Sequence, residues 1–181
     1  MRFVVFADSG CNLPQRKLQE LGIEVVPFSY ELDGELIVCP KYPDGFDGQS
    51  YYNRLRQGAQ VKTSLINAEA FYQAFRPVVE AGKDVLYVGI SSGISGTVAA
   101  ANMAAQQLME EYPQRQVVVV DSMGAGLGTG ILTCKAADYS IADMDIRAAE
   151  EQLNIDRLGL CEYFTVDDLM FLKRTGRVSG V

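Results

Sequence analysis

The chain of 181 residues contains no histidine, which removes the commonest general base and the commonest transition-metal ligand from its repertoire. Its four cysteines, Cys11, Cys39, Cys134 and Cys161, form no CxxC pair. Neither a zinc site nor a disulfide framework is therefore expected, and small buried thiols account for them. No apolar stretch reaches the roughly 20 residues that a membrane-spanning helix needs, and the N-terminus has neither the apolar length nor the cleavage site of a signal peptide. A cytoplasmic protein without a membrane span is expected. Positive charge is also scarce: 16 Lys and Arg stand against 23 Asp and Glu, a net charge of −7. Phosphate binding needs clustered cations to release counterions, so a nucleic-acid surface is not expected.

What is present is an ordinary globular composition, 48% hydrophobic and 22% charged, enough for one domain or one domain plus part of another. Short apolar runs bounded by Gly, Asp and Pro alternate with segments of helical period. That is the pattern of an α/β fold with a mostly parallel sheet flanked by helices. Strands are predicted over Phe3 to Ala7, Ile23 to Tyr30, Val85 to Ile90 and Gln116 to Val120. Helices are predicted over Leu13 to Leu21 with Asn12 as N-cap, over Ser50 to Gln57, after a cap at Asn67, over Val98 to Glu111, from the Gly124–Gly130 turn through Ser140, and over Ile146 to Leu158. Pro77 is expected to kink or end the helix in which it falls. Residues 33–48 read as a loop or short hairpin. A strand over Leu160 to Thr165 and a helix over Val166 to Lys173 break the βα rhythm. Residues 1–157 are thus read as one domain and residues 158–181 as the incomplete start of a second α/β domain.

In an open parallel sheet, ligands bind beyond the carboxyl ends of the strands. Those positions are hydroxyl-rich here: Asp8-Ser9, the loop Ser91-Ser92-Gly93-Ile94-Ser95-Gly96-Thr97, and Asp121-Ser122, with Thr63-Ser64 before a helix. A loop feeding a helix N-terminus offers free N–H groups and the positive dipole end to an anion, and a carboxylate suits it. Serines there also cap helices and satisfy turn amides. The loop is nevertheless richer in hydroxyls than one cap requires.

Three competing readings are weighed by what the chain lacks. Gly89-Ile90-Ser91-Ser92-Gly93 matches the G-x-S-x-G of a hydrolase elbow, so an esterase using Ser91 is the alternative function. Its usual base, histidine, is absent from these 181 residues, and a His in a further C-terminal part or a lysine such as Lys62 or Lys173 would have to supply it. The glycines of Gly124 to Gly130 fall at every second position and no Walker lysine follows. Close helix packing or backbone room for a ligand explains them as well as a nucleotide would, and no cofactor is expected. The pairs Asp143 with Asp145 and Asp167 with Asp168 read as helix-start charges rather than as metal ligands. In the one basic cluster, Leu172 to Arg177, Arg177 is a candidate for a charge-assisted contact to a ligand carboxylate, while Lys173 and Arg174 suit a solvated helix end.

Six segments in order carry a resemblance: Phe6 to Pro14 resembles a "TDS…DLP" opening, Ile23 to Pro27 a second strand, Lys62-Thr63-Ser64 with Phe71 a "TSQPS…F" segment, Ile90 to Thr97 an "SSGLSGT" loop, Val120 to Gly128 a strand with a glycine-bearing turn, and Phe171 to Val178 an "LKKGGRI". Together they are similar to the DegV family of bacterial fatty-acid-binding proteins. Ala7, Gly10, Cys11 and Asn12 depart from the family's Thr, Thr, Ala and Asp, and Leu65-Ile66-Asn67 from its Gln-Pro-Ser. The resemblance implies two α/β domains with a long-chain fatty acid between them, its carboxylate held by Thr63 and Ser95, with Ser92 and Arg177 as second-rank contacts and the acyl tail in an apolar tunnel. It further implies a chain that is not itself an enzyme. In some members such a chain presents its lipid to the separate catalytic subunit of a fatty acid kinase.

Overall fold

The computed structural model describes residues 2–166. Along them run β1 (Phe3–Asp8), α1 (Gln15–Glu20), β2 (Glu24–Val26), β3 (Ser29–Leu32), β4 (Glu35–Val38), α2 (Gly48–Arg56), β5 (Val61–Ser64), α3 (Ala68–Glu80), β6 (Asp84–Gly89), α4 (Thr97–Glu111), β7 (Val117–Asp121), α5 (Leu127–Ile141) and α6 (Ile146–Asp156). The α/β class holds. Strands β2, β1, β6 and β7 form one sheet in that order, and every pair in it is parallel.

Parallel strands joined by helices are buried on both faces, and alternate residues serve the two sides. Val5, Ala7, Leu86, Val88, Val118 and Val120 pack with Leu132 of α5 and Leu153 of α6 on one side. Phe6, Val85, Tyr87 and Val117 pack on the other with Phe71, Phe75 and Val79 of α3 and Ala101 and Leu108 of α4. Each large side chain buried this way contributes roughly 1.5–3 kcal/mol relative to exposure. The sheet is therefore a stiff platform for the loops at its carboxyl edge.

Several sequence expectations change. The predicted strand over 23–30 is two strands in two different sheets, because Pro27 has no N–H to continue a ladder and the chain crosses over there. Strand β3 instead joins β4 and β5 in a separate antiparallel sheet of order β4-β3-β5. Its hairpin turns at Asp33-Gly34, with φ of 54° and 87°, the left-handed pair that matches the twist of flanking strands. The 33–48 segment thus begins in a hairpin. Thr63 lies on a strand, not in a pre-helical loop.

Asn12 is not a helix N-cap: at φ 52° it closes a short 3₁₀ turn over Ser9–Cys11, and α1 begins only after Pro14. Pro77 does not end α3, which runs on to Glu80, since Phe71, Phe75 and Val79 share a buried face that holds the helix through it. Leu160 to Thr165 form no strand. Apolar character alone suggested one there, but no partner strand lies beside them among the described residues. The expected helix over Val166 to Lys173 and the basic cluster with Arg177 fall almost wholly outside the described residues.

Candidate functional site

Strands β1, β6 and β7 end side by side at Asp8, Gly89 and Asp121, and each releases one loop of the candidate site. Asp8 joins the first two. Its carboxylate is fully buried and accepts the Tyr87 hydroxyl at 2.7 Å, the Ile90 N–H at 2.9 Å and the Gly10 N–H at 2.9 Å. Burial raises its pKa, although the bonds from Ile90, Tyr87 and Gly10 pull the other way. Burial, and then the charge of Asp8, likewise lifts the Tyr87 hydroxyl well above its ordinary value. The nearby Cys11 thiol is pushed by burial up to about 11, so it stays protonated and unreactive.

Asp121 anchors the Ser91–Thr97 loop from the other side. It accepts the Ser92 hydroxyl at 2.5 Å, the Ser92 N–H at 3.2 Å and the Met123 N–H at 2.9 Å. Burial opposes ionisation here too, but these bonds and the charge of Arg157 outweigh it and the pKa is lowered. Arg157 also donates to the Asp121 carbonyl at 2.8 Å. The Ser91 N–H reaches the Gly124 carbonyl at 2.9 Å, so the second and third loops are joined along their backbones as well.

The three serines of the loop divide their work, and none holds the N-cap position of α4, which is Gly96 with no side-chain bond of its own. Ser91 Oγ accepts the Gly93 N–H at 3.2 Å, Ser92 donates to Asp121, and half-buried Ser95 lies 2.7 Å from Thr97 Oγ1 while accepting the Thr97 N–H at 3.3 Å. Among the described residues the N–H groups of Val98 and Ala99, in the first turn of α4, are left for another acceptor. Among the described residues, Lys62 included, no base contacts Ser91 Oγ, and Lys173 lies outside them.

Thr63 arrives from the antiparallel sheet, where it stands opposite Tyr30 and is exposed. Two contacts bring that sheet to the loops. A Cβ placed on Gly96 would come within 3.1 Å of Leu65 Cδ2, so the chain just beyond Thr63 lies against the loop of Ser95. Ser9 Oγ accepts the Phe28 N–H at 3.1 Å, tying the loop after β1 to the residue that precedes β3. Thr63 and Ser95 thus sit on neighbouring segments, with Ser92 pinned farther along the same loop.

Within the glycine run beyond β7, close approach to backbone is found at Gly130, whereas Gly124 and Gly128 face the end of the exposed Glu162 side chain. A Cβ on Gly130 would meet the Cys11 carbonyl at 2.6 Å, and one on Gly124 or Gly128 would collide with the Glu162 carboxylate. That carboxylate accepts the Ala125 N–H at 3.0 and 3.3 Å beside the start of α5, where negative charge complements the helix dipole. Asp145 is likewise a helix-start charge, capping α6 through the Arg147 N–H. Among the described residues no cluster of His, Cys, Asp and Glu could hold a metal ion, and no helix is long and apolar enough to cross a membrane.

Sequence reasoning placed the hydroxyl loops but missed their supports. Asp8 and Asp121 each end a buried strand, which is a usable signal for a carboxylate that collects loop amides. Thr97 stood inside the quoted loop without an assigned role. Nothing in the sequence points to Glu162, because its partner is 37 residues away.

The family model "Uncharacterised protein, DegV family" matches residues 2–181. A DegV domain-containing protein of Clostridium perfringens, CPE0026, is 34% identical over 99% of this chain and 61% of its own length. Among solved structures, a fatty-acid-binding DegV family protein from Thermus thermophilus superposes with a TM-score of 0.83 at 30% identity, over 97% of this chain and 60% of that one. A stearic-acid-binding protein from Eubacterium ventriosum superposes with a TM-score of 0.74 at 25% identity, over 84% of this chain and 52% of that one. The chain therefore spans about three-fifths of the length of the curated relatives it matches.

Proposed function

The chain belongs to the DegV family, and on that premise we propose that it binds a long-chain fatty acid, with Thr63 and Ser95 donating to the carboxylate and the acyl tail in an apolar tunnel completed by the rest of the protein. The observation that carries this reading is the N-terminus of α4, where Gly96 at the N-cap offers no side-chain bond and Ser95 takes the Thr97 N–H, set beside the Thr63 segment. It is supported by the fatty acid bound in the Thermus thermophilus relative. Arg177, beyond the described residues, adds a charge-assisted contact. Ser92, whose hydroxyl already donates to Asp121, acts by holding the loop in place.

The tail and the head divide the labour. Burying about 14 methylenes at ~0.8 kcal/mol each gains on the order of 11 kcal/mol before ordering and association costs. Each charge-assisted hydrogen bond to the carboxylate adds roughly 1.5–3 kcal/mol, and an unpaired buried anion would cost more. Affinity comes mainly from the tail, orientation and acid specificity from the head. The protein is then a non-catalytic lipid carrier, presenting the carboxyl group to a separate fatty acid kinase subunit.

Native mass spectrometry of the freshly purified full-length protein tests this: a co-purifying long-chain fatty acid is expected. In the double variant Thr63→Ala with Ser95→Ala, affinity should fall by roughly tenfold or more while the ligand-free protein stays folded, its melting temperature lowered only by what the Thr97 hydroxyl and N–H lose with Ser95. Unchanged affinity in that variant removes the clamp.

A further inference from the structure

The Ser95 and Thr97 hydroxyls lie 2.7 Å apart, and distance alone allows either to be the donor. Their surroundings decide. Thr97 is fully buried, and among the described residues its hydroxyl has one partner, Ser95 Oγ. A buried O–H left without an acceptor is costly, so the Thr97 proton must go to Ser95. Ser95 Oγ also accepts the Thr97 N–H. With both of those acceptor positions taken by Thr97, the Ser95 proton is turned away from Thr97, toward the surface of the loop.

We propose that Thr97 is a positioning residue that makes Ser95 an outward hydrogen-bond donor, and so selects ligands whose head group is an acceptor. The inference rests on the fatty-acid reading above and deepens it. Ser92, three residues earlier, is set the other way: Asp121 is a carboxylate with a lowered pKa that can only accept, so the Ser92 proton is consumed internally and lone pairs face outward. One loop therefore carries two hydroxyls of opposite polarity, and only Ser95 suits a carboxylate. Donation from Thr97 into Ser95 also polarises the Ser95 O–H, which strengthens its bond to an anion.

The test uses the full-length protein with two probes of equal chain length, a saturated long-chain fatty acid and the corresponding alcohol. Thr97→Val keeps the shape and removes the buried hydroxyl, and Thr97→Ser restores it. Acid affinity is expected to fall about twofold to fivefold in Thr97→Val, with alcohol affinity unchanged and Thr97→Ser close to the parent. The opposite donor direction predicts tighter acid binding in Thr97→Val, because Ser95 would be released from Thr97. A rise, no change, or an equal loss for acid and alcohol overturns the proposal. Ser95→Ala separates the layers: if it weakens acid binding while Thr97→Val does not, only the positioning role fails, and if it too is without effect, the carboxylate clamp fails with it. The carboxyl ¹³C shift of labelled bound acid gives a second readout, expected to move in Thr97→Val toward its position in Ser95→Ala.

Discussion

The two sheets supply the two halves of the proposed clamp on very different foundations. In β6, which leads to the Ser91–Thr97 loop, Val85 to Gly89 are all buried between helices on both faces. In β4, at the edge of the sheet that carries Thr63, Leu36 is 65% exposed and Val38 62%. The small sheet is held by its register, by the Tyr30–Tyr51 edge contact at 5.4 Å and by a half-exposed Arg54–Asp33 ion pair at 2.8 Å. On the proposed reading, a loop on a stiff platform fixes where the carboxylate sits. The second hydroxyl comes from an element that can yield without unfolding the first.

The largest expected effect breaks the stiff half. Phe75 is fully buried among Phe6, Phe71 and Tyr87, with ring centroids 5.0, 5.4 and 6.0 Å away. Phe75→Ala loses both transfer energy and packing, and should cost about 3–5 kcal/mol in denaturant unfolding. A loss below about 1 kcal/mol would mean that the parallel sheet is no stiffer than its neighbour.

A smaller effect tests the joint between strand and loop. Asp8→Asn must turn its NH₂ toward a donor, because one carboxylate oxygen serves Tyr87 and Ile90 and the other serves Gly10. At least one buried partner is left unpaired, for roughly 1–3 kcal/mol. The pH dependence has a definite sign. Since the folded Asp8 pKa is raised from 3.8, the native state holds its proton when the unfolded chain has lost it. The contribution of Asp8 is then greatest below 3.8 and declines as pH rises from there through the folded value. The stability difference between parent and Asp8→Asn, measured by urea unfolding across that window, should shrink with rising pH, and growth would show that the three bonds outweigh burial.

The same contrast explains what could be read from the residues alone. The parallel sheet and its helices were legible because full burial leaves continuous apolar runs such as Val85-Leu86-Tyr87-Val88, with turn residues at their ends. The antiparallel sheet was largely not, since β4 and β5 bury little and so carry little pattern. Its Asp33-Gly34 turn was the available signal, and Pro27 marked where one predicted strand had to become two. At the site, Ser92 and Ser95 were visible as residue types in a loop. Their opposite polarities were not, because each is set by a partner, Asp121 or Thr97, whose role depends on burial and on contacts across the fold.

The smallest effect concerns the outer face of the small sheet. Leu36 stands opposite Glu31 and Val38 opposite Ser29, and alternation puts these four on one face with Lys62 and Ser64 of β5. Tyr30, Leu32 and Ile37 turn to the other face, toward Tyr51 of α2 and Phe46. Leu36→Thr places a β-branched strand former at an exposed position, so it should change unfolding free energy by no more than about 0.5 kcal/mol and leave fatty-acid affinity unaltered. The measurement is sharpest in the full-length protein. A loss above about 1.5 kcal/mol there would mean that this face is packed against residues beyond those described, and that Thr63 rests on a support as firm as that of Ser95.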